Sequence, residues 1–165
     1  MLTARQALDV FEAAAVADVP RLRELLDADP ALATTFSSDG FTALHFPAFF
    51  GGVDAASLLL ERGADVDAHG RGWMTGTPLN SAAAGRHADV ARALLDAGAD
   101  PGARQGSGWA PLHSAAHNGD LEMAELLLAR GADPTVVNDD GATVLGMAEE
   151  SGNAEVVARV RAALA

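Results

Sequence analysis

Apolar residues along this chain fall in short clusters at spacings of three and four, and each cluster ends at a glycine, asparagine or aspartate. Leu112, Ala115 and Ala116 lead to Asn118-Gly119-Asp120, and Met123, Leu126, Leu127 and Leu128 lead to Gly131. Such spacing predicts amphipathic helices, here too short to be stable alone in water. Pro111 suits a first helical position, where its missing N–H removes no bond. Thr77, before Pro78, suits a cap that accepts a backbone N–H. Gly131 suits the left-handed residue beyond a helix end. The pattern reads as pairs of short antiparallel helices.

The pairs recur. Gly-Ala-Asp appears at Gly63-Ala64-Asp65, Gly98-Ala99-Asp100 and Gly131-Ala132-Asp133. Twenty-one residues before each of these glycines begins a second element: Thr42-Ala43-Leu44-His45, Thr77-Pro78-Leu79-Asn80 and Ala110-Pro111-Leu112-His113. The landmarks at 42, 77, 110 and 143 are 35, 33 and 33 residues apart. A period of about 33 with a Thr-Pro-Leu-His-x-Ala signature is that of the ankyrin repeat, and over nearly its whole length the chain resembles the ankyrin repeat family.

That resemblance implies an all-α solenoid of stacked helix-turn-helix units with projecting β-turn fingers. Five units are expected: an N-terminal cap at 7–38, three regular repeats at 39–71, 72–104 and 105–137, and a C-terminal cap at 138–165. The first unit carries Phe11, Ala13, Ala14, Leu22, Leu25 and Leu26 as core but no Gly-Ala-Asp. The last has Leu145, Ala148, Val156, Val157 and Val160 interleaved with Glu149, Arg159 and Arg161. Terminal units of a solenoid need such polar outer faces.

Composition narrows the function. The chain is 49% hydrophobic and 21% charged, as in folded soluble proteins, and only 5% aromatic, so the core depends on close approach of alanine-faced helices. With no cysteine, disulfides, thiol catalysis and cysteine-held metals drop out. The net charge of -12, with all 11 basic residues arginine, repels phosphate backbones and disfavours nucleic acid. No stretch reaches the roughly 20 apolar residues of a membrane span. The first residues, with Asp9 and Glu12 close behind, lack the pattern of a signal peptide. A cytoplasmic protein is expected, and the alanine-rich, lysine-free composition points to a GC-rich bacterial genome.

Departures from the repeat mark the candidate surface. Two extra residues fall between Asp65 and Thr77, in the finger that carries His69, Arg71, Trp73 and Met74; insertions in solenoids map to loops on one face, often the binding face. Phe46-Pro47-Ala48-Phe49-Phe50 breaks the Leu-x-x-Ala-Ala run. Pro47, about five residues into the helix, is expected to remove a hydrogen bond and kink it. Phe46 is read as core. Phe49 and Phe50 match positions that in the family lie on the concave surface, shared with Ala84-Gly85 and His117-Asn118. At least one of two adjacent rings must leave the helix seam. Phe41 and Trp109 precede the Thr/Ala-x-Leu motif, where the family places contact residues. Phe41, Phe49, Phe50, Trp73, Met74 and Trp109 are therefore expected to converge on one concave patch of interface composition. His69, Arg71 and Arg104 are expected to form its rim, suited to an acidic or amphipathic partner, with His117 and Asn118 beside it.

Catalytic signatures are absent. His113 and His117, four apart, have the spacing of a zinc pair but no third ligand, and the resemblance makes His113 and His45 loop-binding motif residues. Ser114 beside His113 points about 100° away from it on a helix, and Gly70-Arg71-Gly72 lacks the context of a dinucleotide loop. The recurring Asp65, Asp100 and Asp133, with Asp39, Asp139 and Asp140, read as turn residues. The expected function is non-catalytic binding of a protein or peptide, without cofactor or metal, by a monomer; the alternatives are symmetric self-association through the same patch, or a metal- or small-molecule-binding groove centred on His69, His113 and His117.

Overall fold

The computed structural model describes residues 8–72 and 75–165, so Trp73 and Met74 lie outside the described residues. Among the described residues ten α-helices follow in chain order: α1 (Val10–Ala15), α2 (Val19–Ala28), α3 (His45–Phe50), α4 (Val53–Glu61), α5 (Pro78–Gly85), α6 (Ala88–Asp96), α7 (Pro111–His117), α8 (Leu121–Ala129), α9 (Val144–Ser151) and α10 (Ala154–Leu164). Each odd-numbered helix packs on the even-numbered helix after it. The odd helices stack on one another as an inner row, and the even helices as an outer row. Among the described residues β structure is limited to two isolated bridges, Phe36 to Thr42 and Val137 to Thr143.

The local chemistry of the landmarks produces this regularity. After α4, α6 and α8, Gly63, Gly98 and Gly131 take positive φ of 85°, 96° and 91°. The next amide then reaches back to the helix, Ala64 N to Leu59 O, Ala99 N to Leu94 O and Ala132 N to Leu127 O, each at 3.0 Å. The aspartate that follows accepts the amide two residues on: Asp67, Gly102 and Thr135 donate to Asp65, Asp100 and Asp133. Gly-Ala-Asp is thus a helix stop followed by an Asx turn. Hydrogen bonds from Thr135 hold the exposed Asp133 carboxyl below the usual range.

Between the helices lie the fingers, each closed by one backbone bond. Ser37 N reaches Phe41 O, Gly70 N reaches Gly76 O, Gln105 N reaches Trp109 O, and Asn138 N reaches Ala142 O, at 2.8–3.0 Å. Closure spans four residues in three fingers and six in the second, so the insertion sits at a fingertip and leaves the base intact. Neighbouring fingers are zipped together by Arg71 N to Gly40 O, Gly106 N to Thr75 Oγ1 and Asp139 N to Ser107 O.

A buried side chain at the fourth motif position crosses from each finger to the next. His45 Nδ1 accepts the Thr42 amide and its Nε2 meets Gly76 O at 3.0 Å. Asn80 repeats this with Oδ1 on the Thr77 amide and Nδ2 on Ala103 O. His113 accepts the Ala110 amide and meets Ala142 O at 3.3 Å. These partners require neutral imidazoles with the proton on Nε2. Burial, the main cause, holds both histidines below their usual range.

The core is alanine at the inner helices and leucine at the outer ones. Ala48, Ala82, Ala83, Ala115, Ala116, Leu59, Leu94 and Leu127 are all buried. Pro47 does not kink α3, contrary to the sequence expectation; it delays the start. Lacking an N–H for the Ala43 carbonyl, it leaves a first turn closed by His45 N to Thr42 O, and α3 then runs uninterrupted from His45 to Phe50. Phe46 is half-buried between Phe11, at 5.9 Å, and Phe41, at 6.2 Å.

Two predictions follow from this packing. A Cβ on Gly85, at the end of α5, would fall 2.3 Å from the Phe49 carbonyl oxygen. Gly85→Ala is therefore expected to destabilise by about 1–3 kcal/mol in urea titration, although helix propensity alone favours alanine by about 1 kcal/mol. A stabilised variant would show that α3 and α5 are not held this close. Gly98→Ala meets no atom within 4 Å and is expected to cost only the left-handed backbone term, about 1–2 kcal/mol.

The second concerns pH. Because the native pKa values of His45 and His113 are depressed, their contribution is complete above the ordinary histidine pKa. It is lost as pH falls from there toward the native values, where the unfolded chain binds more protons. The urea midpoint is expected to fall between pH 7.5 and 5.5. The His45→Asn, His113→Asn double variant, which installs the Asn80 solution, is expected to flatten that slope; an equal slope in both proteins would refute it.

Candidate functional site

The inner helices and the fingers enclose a groove of about 420 Å³ over the C-terminal half of the stack. Ala84 from α5, Ser114, His117 and Asn118 from the α7 segment, Gln105, Gly106, Ser107 and Trp109 from one finger, and Asp140 from the next line it. Trp109, His117 and Asn118, singled out from the sequence, are thereby brought together. Trp109 is half-buried and lies across the motif histidine, 5.7 Å from His113 and nearly perpendicular to His117 at 6.1 Å. Asn118 donates through Nδ2 to the carbonyls of Ala83 and Ala84, tying α7 to the end of α5 beneath the groove.

Equivalent positions carry the face toward the N-terminus. Phe49, Ala84, His117 and Glu150 occupy the same place in successive units, as do Phe50, Gly85, Asn118 and Ser151. Phe49 and Phe50 pack edge to face at 5.2 Å and are 42% and 60% exposed. Both rings leave the helix seam, because Ala48 and Pro47 already fill it. Val16, at the end of α1, is 65% exposed and extends the apolar end of the row.

The remaining expected residues fall elsewhere. Phe41 is half-buried against His45, at 5.4 Å, and Phe46. His69 and Arg71 line a separate cleft with Phe36, Thr42, Asp65 and Ala68. There the Arg71 guanidinium sits 3.7 Å from the centre of the Phe36 ring, while His69 Nδ1 meets Thr75 O. Arg104 donates to the Val137 carbonyl at 3.3 Å. The expected single aromatic floor is thus replaced, among the described residues, by three ring groups: Phe11–Phe46–Phe41–His45, Phe49–Phe50 and Trp109–His113–His117. The first group bridges the first two units through Phe11 and Phe46, the other two each stay within one unit, and the alanine at position 84 lies between these last two groups. The sequence did not single out Gln105 or Ser107, marked Asp140 as a turn residue and brought in Ser114 only as a candidate catalytic neighbour of His113; finger residues gain their place only when fingers and helices stack.

The arrangement offers hydrogen-bonding groups, one indole face and a carboxylate in an open groove. Among the described residues no three histidine, aspartate or glutamate side chains gather as metal ligands. No helix there is long and apolar enough to cross a membrane.

Comparison with known proteins agrees with the geometry. The family model for ankyrin repeats (3 copies) matches residues 10–105 and 81–161. A probable E3 ubiquitin-protein ligase of rice, XBOS31, is 42% identical over 93 residues, 56% of this chain and 20% of the rice protein. The human ankyrin repeat and KH domain-containing protein 1 is 46% identical over 59 residues, 36% of this chain and 2% of that protein. The Arabidopsis serine/threonine-protein kinase VIK is 41% identical over 69 residues, 42% of this chain and 15% of the kinase. Matches thus take in a fifth or less of each relative, and ligase and kinase are names of those whole proteins. All three organisms are plant or human, so they give the composition-based expectation of a bacterial source no support. The stacked helix pairs, the zipped fingers and the family match together show that this chain belongs to the ankyrin repeat family.

Proposed function

We propose that this protein is a non-catalytic recognition module that binds a protein or peptide across its concave face. The observation that carries the reading is the groove between fingers and inner helices, continued by the exposed Phe49–Phe50 pair. Elsewhere the units repeat one another's buried residues; along this row the same position holds Phe49, Ala84, His117 and Glu150. A scaffold that keeps its interior and diversifies one face suits binding, since exposed aromatics in a groove supply most of the energy in protein contacts. The unit limits at 38/39, 71/72, 104/105 and 137/138 belong to this proposal, as do a cytoplasmic setting and a monomeric state.

Phe50→Ala and His117→Ala are expected to weaken a true partner by about 2 kcal/mol or more at the hot spot. Both side chains are exposed, so the melting temperature stays nearly unchanged. The measurement is affinity capture from cells of the source organism, followed by titration of the recovered partner against each variant. Equal affinity in both would move the binding face elsewhere. The exposed phenylalanine pair also favours a second reading, symmetric self-association; light scattering over a range of concentrations separates the two, since only the second raises the mass.

A further inference from the structure

The concave row changes character along its length. At the end formed by α1 and α3 it presents Val16, Phe49 and Phe50. At the other end Trp109 and Asp140 both line the groove, with exposed Glu150 in the row beyond. A second carboxylate, Asp139 of the Asp140 finger, lies against Gly108 of the neighbouring Trp109 finger, where a Cβ would come within 2.6 Å of it.

The arginines around this end are held outside the groove lining. Arg86 faces Asp120 at 3.8 Å, Arg104 reaches the Val137 carbonyl, and Arg161 holds Glu149 at 2.7 Å. On the outer row Arg62 pairs with Asp27, and Arg130 pairs with Asp96 at 2.8 Å. None of these arginines lines the groove. Asp140 has no ion pair among the described residues, on a chain whose net charge is -12. An indole face with a carboxylate beside it attracts a cationic side chain through both the ring quadrupole and Coulomb attraction.

We infer that the groove takes an arginine or lysine side chain of an extended peptide, between Trp109 and Asp140, while an apolar residue of the same peptide rests on Phe49 and Phe50. This inference rests on the concave face being the binding surface. It reverses the acidic partner expected from the sequence, because His69 and Arg71 lie in a different cleft. The spacing follows from the stack. Two steps of about 8–10 Å separate α3 from α7, and an extended chain covers about 3.3–3.6 Å per residue. The cation and the apolar anchor are therefore about five or six residues apart.

The test is selection from a displayed random-peptide library on the whole chain, followed by anisotropy titration of the synthesised peptides. Enriched peptides are expected to carry arginine or lysine about five or six residues from an apolar side chain. Their affinity is expected to fall roughly tenfold with Asp140→Asn and with added salt, to fall with Phe50→Ala, and to hold with Glu125→Gln on α8. Peptides without a cation, or peptides sensitive to Phe50→Ala but not to Asp140→Asn, overturn this inference and leave the concave face as the binding surface. Enrichment of nothing, or of peptides indifferent to both variants, overturns both.

Discussion

The stacking of the three middle units depends on one buried side chain in each that ties its own finger to the next. His45, Asn80 and His113 each accept an amide from the start of their own helix and donate to a carbonyl of the following finger. A buried polar group left unpaired costs about 1–3 kcal/mol, so the two bonds are obligatory once the stack closes. They set both the rise from unit to unit and the angle at which the finger stands from the inner helix. The groove wall exists because that angle is fixed.

The ends of the stack show the same constraint from outside. Asp9 and Glu12 replace the motif in the first unit and form a capping box, Asp9 on the Glu12 amide and Glu12 on the Asp9 amide. They serve the helix end alone. In the fifth unit Gly146 stands where histidine or asparagine stands before. Exposed ion pairs between outer helices add little beside these buried contacts, since such pairs contribute about 0–1 kcal/mol. Stability is carried by alanine contacts within the inner row, leucine contacts in the outer row and the finger relay. The exposed row is therefore free to vary.

That freedom links scaffold to function. The residues at positions 49, 84, 117 and 150 share a backbone environment and little chemistry. Position 84 is alanine, which opens space between the phenylalanine pair and the Trp109 group, and Gly85 next to it lets α3 and α5 approach closely. Small residues in the middle and rings toward either side leave a hollow with distinct ends. The two-residue insertion acts on the fingertip alone, because the Gly70 to Gly76 bond closes its base as in the shorter fingers.

The repeat period, the helix pairs and the helix stops were legible in the chain because each rests on local chemistry. A glycine at positive φ, a threonine cap and an aspartate turn act within a few residues, and they recur in register. The exposure of Phe49 and Phe50 was legible for the same reason: adjacent helical side chains diverge. The fate of Pro47 depended on where bonding began, which spacing did not give. The grouping of the rings, the separation of His69 and Arg71 from the groove, and the placing of Asp140 and Trp109 along one groove were decided only by tertiary structure. Those side chains come from different fingers, and their distances follow from the stacking step and finger angle, which no single segment encodes.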